Sequence, residues 1–155
     1  MEQKFMQEAI NAALEGMRKM GGGPFGAVVV KNGEIVGRGS NRVTDTNDPT
    51  AHAEVVAIRD ACAKLGEFQL DGCEIYTSCE PCPMCMGAIY WARPDKVYYA
   101  CDKTDAADVG FDDAFIYKEL ELPLHDRKIP FTQISRDESL KIFGEWGEME
   151  DKTEY

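Results

Sequence analysis

Two short segments restrict this chain more than anything else in it. His52-Ala53-Glu54 and, about one βα unit later, Pro81-Cys82-Pro83-Met84-Cys85 supply an imidazole and two thiols, the donor types that bind Zn²⁺. Three protein ligands leave the fourth position of a tetrahedral ion to water, and that vacancy separates a reactive zinc site from a closed structural one. The pattern points at hydrolytic chemistry.

The spacing has a mechanical reason. Cys82 and Cys85 are three apart, so in the first turn of a helix their sulfurs face the same side and can grip one ion, while His52 reaches it from a neighbouring helix. Both segments open helical patterns, where exposed N–H groups and the helix dipole favour thiolate over thiol. Zinc so held lowers the pKa of its water from about 9 to about 7. Glu54, two residues beyond His52, is placed to reach that water rather than the metal, as proton acceptor and then donor. Taken singly, a His is usually a satisfied polar residue, and a CxxC pair is a redox couple or half of a zinc knuckle. The joint occurrence of the two segments on these elements decides for a reactive zinc site. Cys79 lies three before Cys82 and could replace His52 in an all-sulfur site, but Pro81 places it at the end of a strand, outside the helical turn. Cys62, Cys73 and Cys101 fall in helix or strand patterns and read as small buried hydrophobes.

Residues 3 to 19 put Phe5, Met6, Ala9, Ile10, Ala13, Leu14 and Met17 at spacings of three and four, the stripe of a helix with one buried face. The GGGPFG run stops it, and its glycines, which lack the pattern of a phosphate loop, let the backbone approach a ligand or a neighbour closely. Ala27–Lys31 and Glu34–Gly39 flank Asn32-Gly33, a type I′ turn pair, and predict a β-hairpin that Asn41 closes. After a turn at 47–49, AHAEVVAIRDACAKLG predicts a helix ending at Gly66. CEIYT predicts a strand over Cys73–Thr77, Met84–Ala92 a helix that Pro94 ends, and Lys96–Ala100 a strand. GFDDAFIYKEL predicts a short helix, FTQIS a last strand, and Glu138–Met149 a final helix. This order of elements implies an α/β sheet covered on both faces. His125, between prolines in LPLHDRKIP, reads as a surface residue.

At 155 residues and 44% hydrophobic content, one domain can bury a good core without disulfides. With 17 Lys and Arg against 28 Asp and Glu, a formal net charge of −11, phosphate contacts cannot dominate binding, so nucleic acid is disfavoured as a partner. The N-terminus lacks the layout of a signal peptide and no run approaches membrane-spanning length, so a cytoplasmic protein that binds no membrane is expected. In that reducing setting the six cysteines are read as metal-binding or unpaired.

The H-x-E then P-C-x-x-C pair resembles the signature of the zinc-dependent nucleobase deaminases, the cytidine deaminase superfamily. Over nearly its whole length the chain is similar to the bacterial guanine deaminases of that fold. The matching stretches are GGPFGAVVVKNGEIVGRGSN, NDPTAHAEVVAIRDAC, YTSCEPCPMCMGAIYWARP, GFDDAFIYKE and the terminal Glu154-Tyr155. The resemblance implies a three-layer α/β/α fold with a mixed five-stranded sheet, one catalytic domain over 1–155, and hydrolysis of guanine to xanthine and ammonia. It implies one Zn²⁺ per subunit on His52, Cys82 and Cys85, with Glu54 as proton shuttle. Phe25, Asn41, Ala53, Asp113 and Tyr155 become substrate-binding positions, and Asp113, rather than the adjacent Asp112, a second catalytic carboxylate.

An aromatic face can stack on a purine and an amide can pair with a heterocycle edge, which suits Phe25 and Asn41. Without the resemblance, Phe25 would plug a core edge, Asn41 would cap a turn, and Asp112 or Asp113 would cap a helix. The acidic end would likewise read as a frayed tail. In the resembled family the C-terminal segment, about 135–155 here, crosses to the partner of a domain-swapped homodimer and its last Tyr closes the site. Trp146, Met149 and Tyr155 are the apolar anchors available for that. Guanosine, triazine or other aminated-heterocycle deamination, tRNA adenosine deamination and a non-catalytic zinc module are the competing readings. A lid made by Tyr155 excludes ribose, the acidic charge argues against tRNA, and the presence of Glu54 argues against a non-catalytic module.

Overall fold

The computed structural model describes residues 2–155. It divides into two compact units, one ending at Asp113 and the other running Ala114–Tyr155.

In the first unit the predicted elements form in the predicted order. Helix α1 (Glu2–Met20) precedes a hairpin of β1 (Gly26–Lys31) and β2 (Glu34–Ser40), whose turn carries Asn32 and Gly33 at positive φ. A one-turn helix α2 (Val43–Thr46) leads to α3 (Ala53–Leu65), which Gly66 ends at φ 67°. Then follow β3 (Cys73–Cys79), α4 (Pro83–Ala92), β4 (Lys96–Cys101) and α5 (Lys103–Asp108). The sheet order is β2-β1-β3-β4, with β1 antiparallel to both neighbours and β3 parallel to β4.

Strand β1 shows why the sheet has helices on both sides. Alternate side chains point to opposite faces, yet Ala27, Val28, Val29 and Val30 are all buried, so both faces must be covered. Val28 and Val30 pack with Phe5, Ala9 and Tyr76 beneath α1. Ala27 and Val29 pack with Ile75, Ala53, Ala57, Ala61 and Ile89 beneath α3 and α4. A Cβ on Gly39 would run into the Ala53 carbonyl, so glycine there lets the first turn of α3 lie directly on β2.

Several expectations need correction. Among the described residues the sheet has four strands, not five. FTQIS is irregular, Phe131 and Ile134 are exposed, and no ladder partner takes up its backbone groups, without which a strand does not form. The helix read from GFDDAFIYKEL begins only at Ala114, because Gly110 sits at φ 97° and Phe111–Asp113 continue as loop. Cys101 is exposed rather than buried, since β4 is an edge strand whose residues are largely uncovered. Helix α5 was not legible in the apolar pattern; it is set by a polar capping box in which Asp102 accepts from the Thr104 and Asp105 N–H groups.

The second unit contains α6 (Ala114–Glu121), a 3₁₀ turn (Leu124–Asp126) and α7 (Arg136–Glu148). None of its residues is buried. Arg127 bonds the Leu120 and Leu122 carbonyls, and Glu119 accepts from the Lys128 N–H. His125 is exposed, as read from the sequence. No described helix is long and apolar enough to cross a membrane.

Candidate active site

The two signature segments meet at the N-terminal ends of α3 and α4. His52 occupies the N-cap of α3 and Cys82 that of α4, both in extended conformation and neither capping with its side chain, so both side chains are available to something else. Pro83 presets the first helical residue of α4 and needs no N–H partner there. Cys85 follows within the same turn and is fully buried.

The His52 Nδ1 lies 3.4 Å from the Cys82 Sγ and 3.5 Å from the Cys85 Sγ. A tetrahedral Zn²⁺ with its usual bond lengths sets nitrogen and sulfur at about 3.5 Å. All three donor atoms fall within 4.8 Å of one another, the one such cluster among the described residues. Donor chemistry and spacing therefore both fit zinc. Cys79 stays apart: it ends β3, and its thiol faces the Asp102 carbonyl at 3.5 Å. Burial pushes that thiol up to about 11.

The electrostatics of the metal-free cluster are those of a proton-sharing pair. Cys82 is pulled down to about 4, chiefly by its interaction with the neighbouring Cys85 side chain and then by His52, with burial opposing. Cys85 is pushed far above the ordinary thiol range by its interaction with Cys82 and by burial. His52 is raised by its hydrogen bond with Cys82. Metal ligation takes both sulfurs as thiolates, so metal affinity at this cluster should rise with pH.

Glu54 is 6% exposed, a position a carboxylate takes only with partners. The Thr77 hydroxyl donates to its Oε1 at 3.2 Å and the Cys85 thiol donates to its Oε2 at 3.3 Å. Burial raises its pKa, suiting a group that must hold a proton during part of a cycle. Ala53, between His52 and Glu54, is fully buried.

A second group of predicted residues gathers on the glycine loop. The Asn41 Oδ1 accepts from the Gly23 and Val43 N–H groups at 3.3 and 3.2 Å. Gly22 passes so close to the Asn41 carbonyl that no Cβ would fit, which is the close approach the glycine run foretold. Asn41 thus does cap a turn with its oxygen, while its Nδ2 donors have no partner among the described residues. Phe25, half-buried, meets Phe111 edge to face at 4.9 Å between ring centroids. Two residues on, half-buried Asp113 is raised by burial and by the negative charge of Cys82. Tyr155 belongs to the second unit and is 70% exposed. Sequence reasoning missed Thr77 and Phe111; a hydroxyl in the apolar strand CEIYT, and an aromatic beside a carboxylate pair, were the signals available.

Comparison with known proteins agrees with this geometry. Residues 1–101 match the family model of the cytidine and deoxycytidylate deaminase zinc-binding region. The chain is 58% identical over 151 residues to the guanine deaminase of Bacillus subtilis, covering 97% of each. It is 34% identical to a tRNA-specific adenosine deaminase of Aquifex aeolicus, covering 92% of this chain and 91% of the other. Among solved structures, the crystal structure of the Bacillus subtilis guanine deaminase superposes with a TM-score of 0.96 at 57% identity, over 99% of this chain and 98% of that one. A structure of NE0047 in complex with 2,6-diaminopurine superposes with a TM-score of 0.70 at 32% identity, over 73% of this chain and 63% of that one.

Proposed function

This chain belongs to the cytidine and deoxycytidylate deaminase zinc-binding family, and from that premise we propose that it hydrolyses guanine to xanthine and ammonia. The observation that carries the chemistry is the juxtaposition of His52, Cys82 and Cys85 with the buried carboxylate of Glu54. The base itself is supported by full-length similarity to a guanine deaminase.

His52, Cys82 and Cys85 would hold one zinc ion, which when bound supplies a Lewis acid that makes water nucleophilic at neutral pH. The remaining work falls to side chains. Glu54 takes a proton from the attacking water and returns it to the departing amine, so that a C–O bond forms at guanine C2 as the C–N bond breaks and ammonia leaves. Positioned proton transfer of this kind is worth about 10²- to 10⁴-fold in rate. The Phe25 ring, braced by Phe111, offers a face for the purine, and the Asn41 Nδ2 offers donors for a ring acceptor. The Asp113 carboxylate, on the loop that Phe111 anchors, receives ring or amine N–H groups and relays a proton. Ala53 lines the site between ligand and shuttle.

The working unit is a cytoplasmic homodimer whose C-terminal segment crosses to the partner, with Tyr155 closing the site. Supporting this, Ile142, Phe143 and Trp146 of α7 are all exposed within one chain, a run of apolar surface that a monomer seldom leaves uncovered. The net charge of −11 argues against a tRNA substrate.

The test is direct. Zinc-loaded protein is given guanine, guanosine, cytidine, adenine and ammeline in parallel, and ammonia release and product spectra are followed. Guanine-selective turnover is expected. Preference for guanosine or ammeline would retain the proton chemistry and overturn the assignment of Asp113 and Tyr155, and inactivity on all five would overturn the proposed reaction.

A further inference from the structure

We propose that Thr77 is a positioning residue that fixes the Glu54 carboxylate for proton transfer. The inference rests on the reading of Glu54 as the proton shuttle and adds the group that aims it. Thr77 sits on β3, an inner strand, where pairing with Ala27 of β1 and Tyr99 of β4 fixes its backbone from both sides. Its side chain shares a sheet face with Ile75 and Cys73, both fully buried beneath α3 and α4. Packing alone would be met at this position by valine, which has the same shape. A hydroxyl is unfavourable in such surroundings unless it is bonded.

The bond it makes goes to Glu54. At 1% exposure the Thr77 Oγ1 donates to the Glu54 Oε1 at 3.2 Å, across 23 residues of sequence. The other carboxylate oxygen accepts from the Cys85 thiol at 3.3 Å, which turns Oε2 toward the metal-binding donors. Of the two side chains that donate to Glu54, Thr77 is the one outside the metal-donor cluster, so its bond does not compete with metal binding. With Oε1 held from the sheet, Oε2 is left to face the reacting atoms. A carboxylate that swings loses the alignment on which proton transfer depends, and small displacements of that sort reduce rate by about 10- to 100-fold.

The experiment compares Thr77→Val, Thr77→Ala and Thr77→Ser in the full chain. For each variant, kcat and KM for guanine, zinc per chain and the dissociation constant for the product xanthine are measured. Val and Ala, which differ in packing but both lack the hydroxyl, are expected to lower kcat about 10- to 100-fold, with zinc at one per chain and xanthine affinity and KM within about twofold. Ser, which restores the hydroxyl, is expected to recover most of the loss. Three outcomes overturn the proposal: undiminished kcat in Val and Ala, a Ser variant as impaired as Val, or loss of zinc or of folded protein in Val and Ala alike. Glu54→Gln is measured in the same series. Full activity there would reject the shuttle itself, whereas an inactive Glu54→Gln beside a fully active Thr77→Val would reject only the role of Thr77.

Discussion

The two units of this chain solve the problem of burial differently. The first closes its own core: β1 is covered on both faces, Ile75 and Tyr76 point to opposite sides of the sheet and both are buried, and even the polar pair Glu54 and Thr77 is enclosed. The second has helices of similar length with apolar residues in plenty, yet Ile129, Ile134, Ile142 and Phe143 are each more than two-thirds exposed. Its order comes from local polar ties such as Arg127 to the carbonyls of Leu120 and Leu122, and from the Arg127 guanidinium over the Phe131 ring. A site that depends on sub-ångström placement belongs in the first kind of structure. A segment that keeps an apolar face in reserve suits assembly with a second copy.

The largest expected effect is confined to the first unit. Glu54→Gln should lower kcat for guanine about 10²- to 10⁴-fold while zinc content, read by atomic absorption, stays at one per chain. Retained turnover would remove the mechanism. Next in size, Ile75→Ala empties a fully buried position between two ladders and should destabilise the protein by about 2–5 kcal/mol in urea unfolding. Phe143→Glu attacks the other unit. If the proposed dimer forms through this face, the variant should leave zinc binding in place and weaken self-association by about 2 kcal/mol, roughly thirtyfold, in sedimentation. Equal loss of zinc or of fold in both variants would erase the contrast between a self-sufficient unit and one that needs cover.

That contrast also explains what was legible in the sequence. Elements whose residues are buried announced themselves by period: the stripe of α1, the hairpin around Asn32-Gly33, and α3 up to Gly66 all formed as read. The metal donors were legible because ligand type and spacing carry chemistry independent of fold. Where burial is absent, period misled. FTQIS has a strand composition and no partner edge, Cys101 lies on an edge strand, and the start of α6 was set by the φ of Gly110 rather than by its apolar residues. Thr77 escaped for another reason. Its role is visible only when a strand and a helix 23 residues apart are laid against each other, and no local pattern encodes that bond.

The smallest expected effect tests whether the second unit serves the first. Trp146 and Met149 are half uncovered and Tyr155 is largely exposed within one chain; in the proposed dimer, contacts from the second copy would offset the entropy lost in ordering this segment. Removing Glu154 and Tyr155 should then raise KM for guanine about tenfold, with kcat and zinc content little changed, because a lid over bound substrate contributes to ground state and transition state alike. Unchanged KM would make the tail an inert end. Mixing separates a swapped lid from one that acts within its own chain. Truncated chains with intact Glu54 are combined with full-length Glu54→Gln chains, which have the lid and no shuttle. If the segment crosses, mixed dimers pair an intact shuttle with a lid from the other chain, and low-KM turnover reappears at a level set by the fraction of mixed dimers. If each lid serves its own subunit, neither chain type can complete a site and mixing restores nothing.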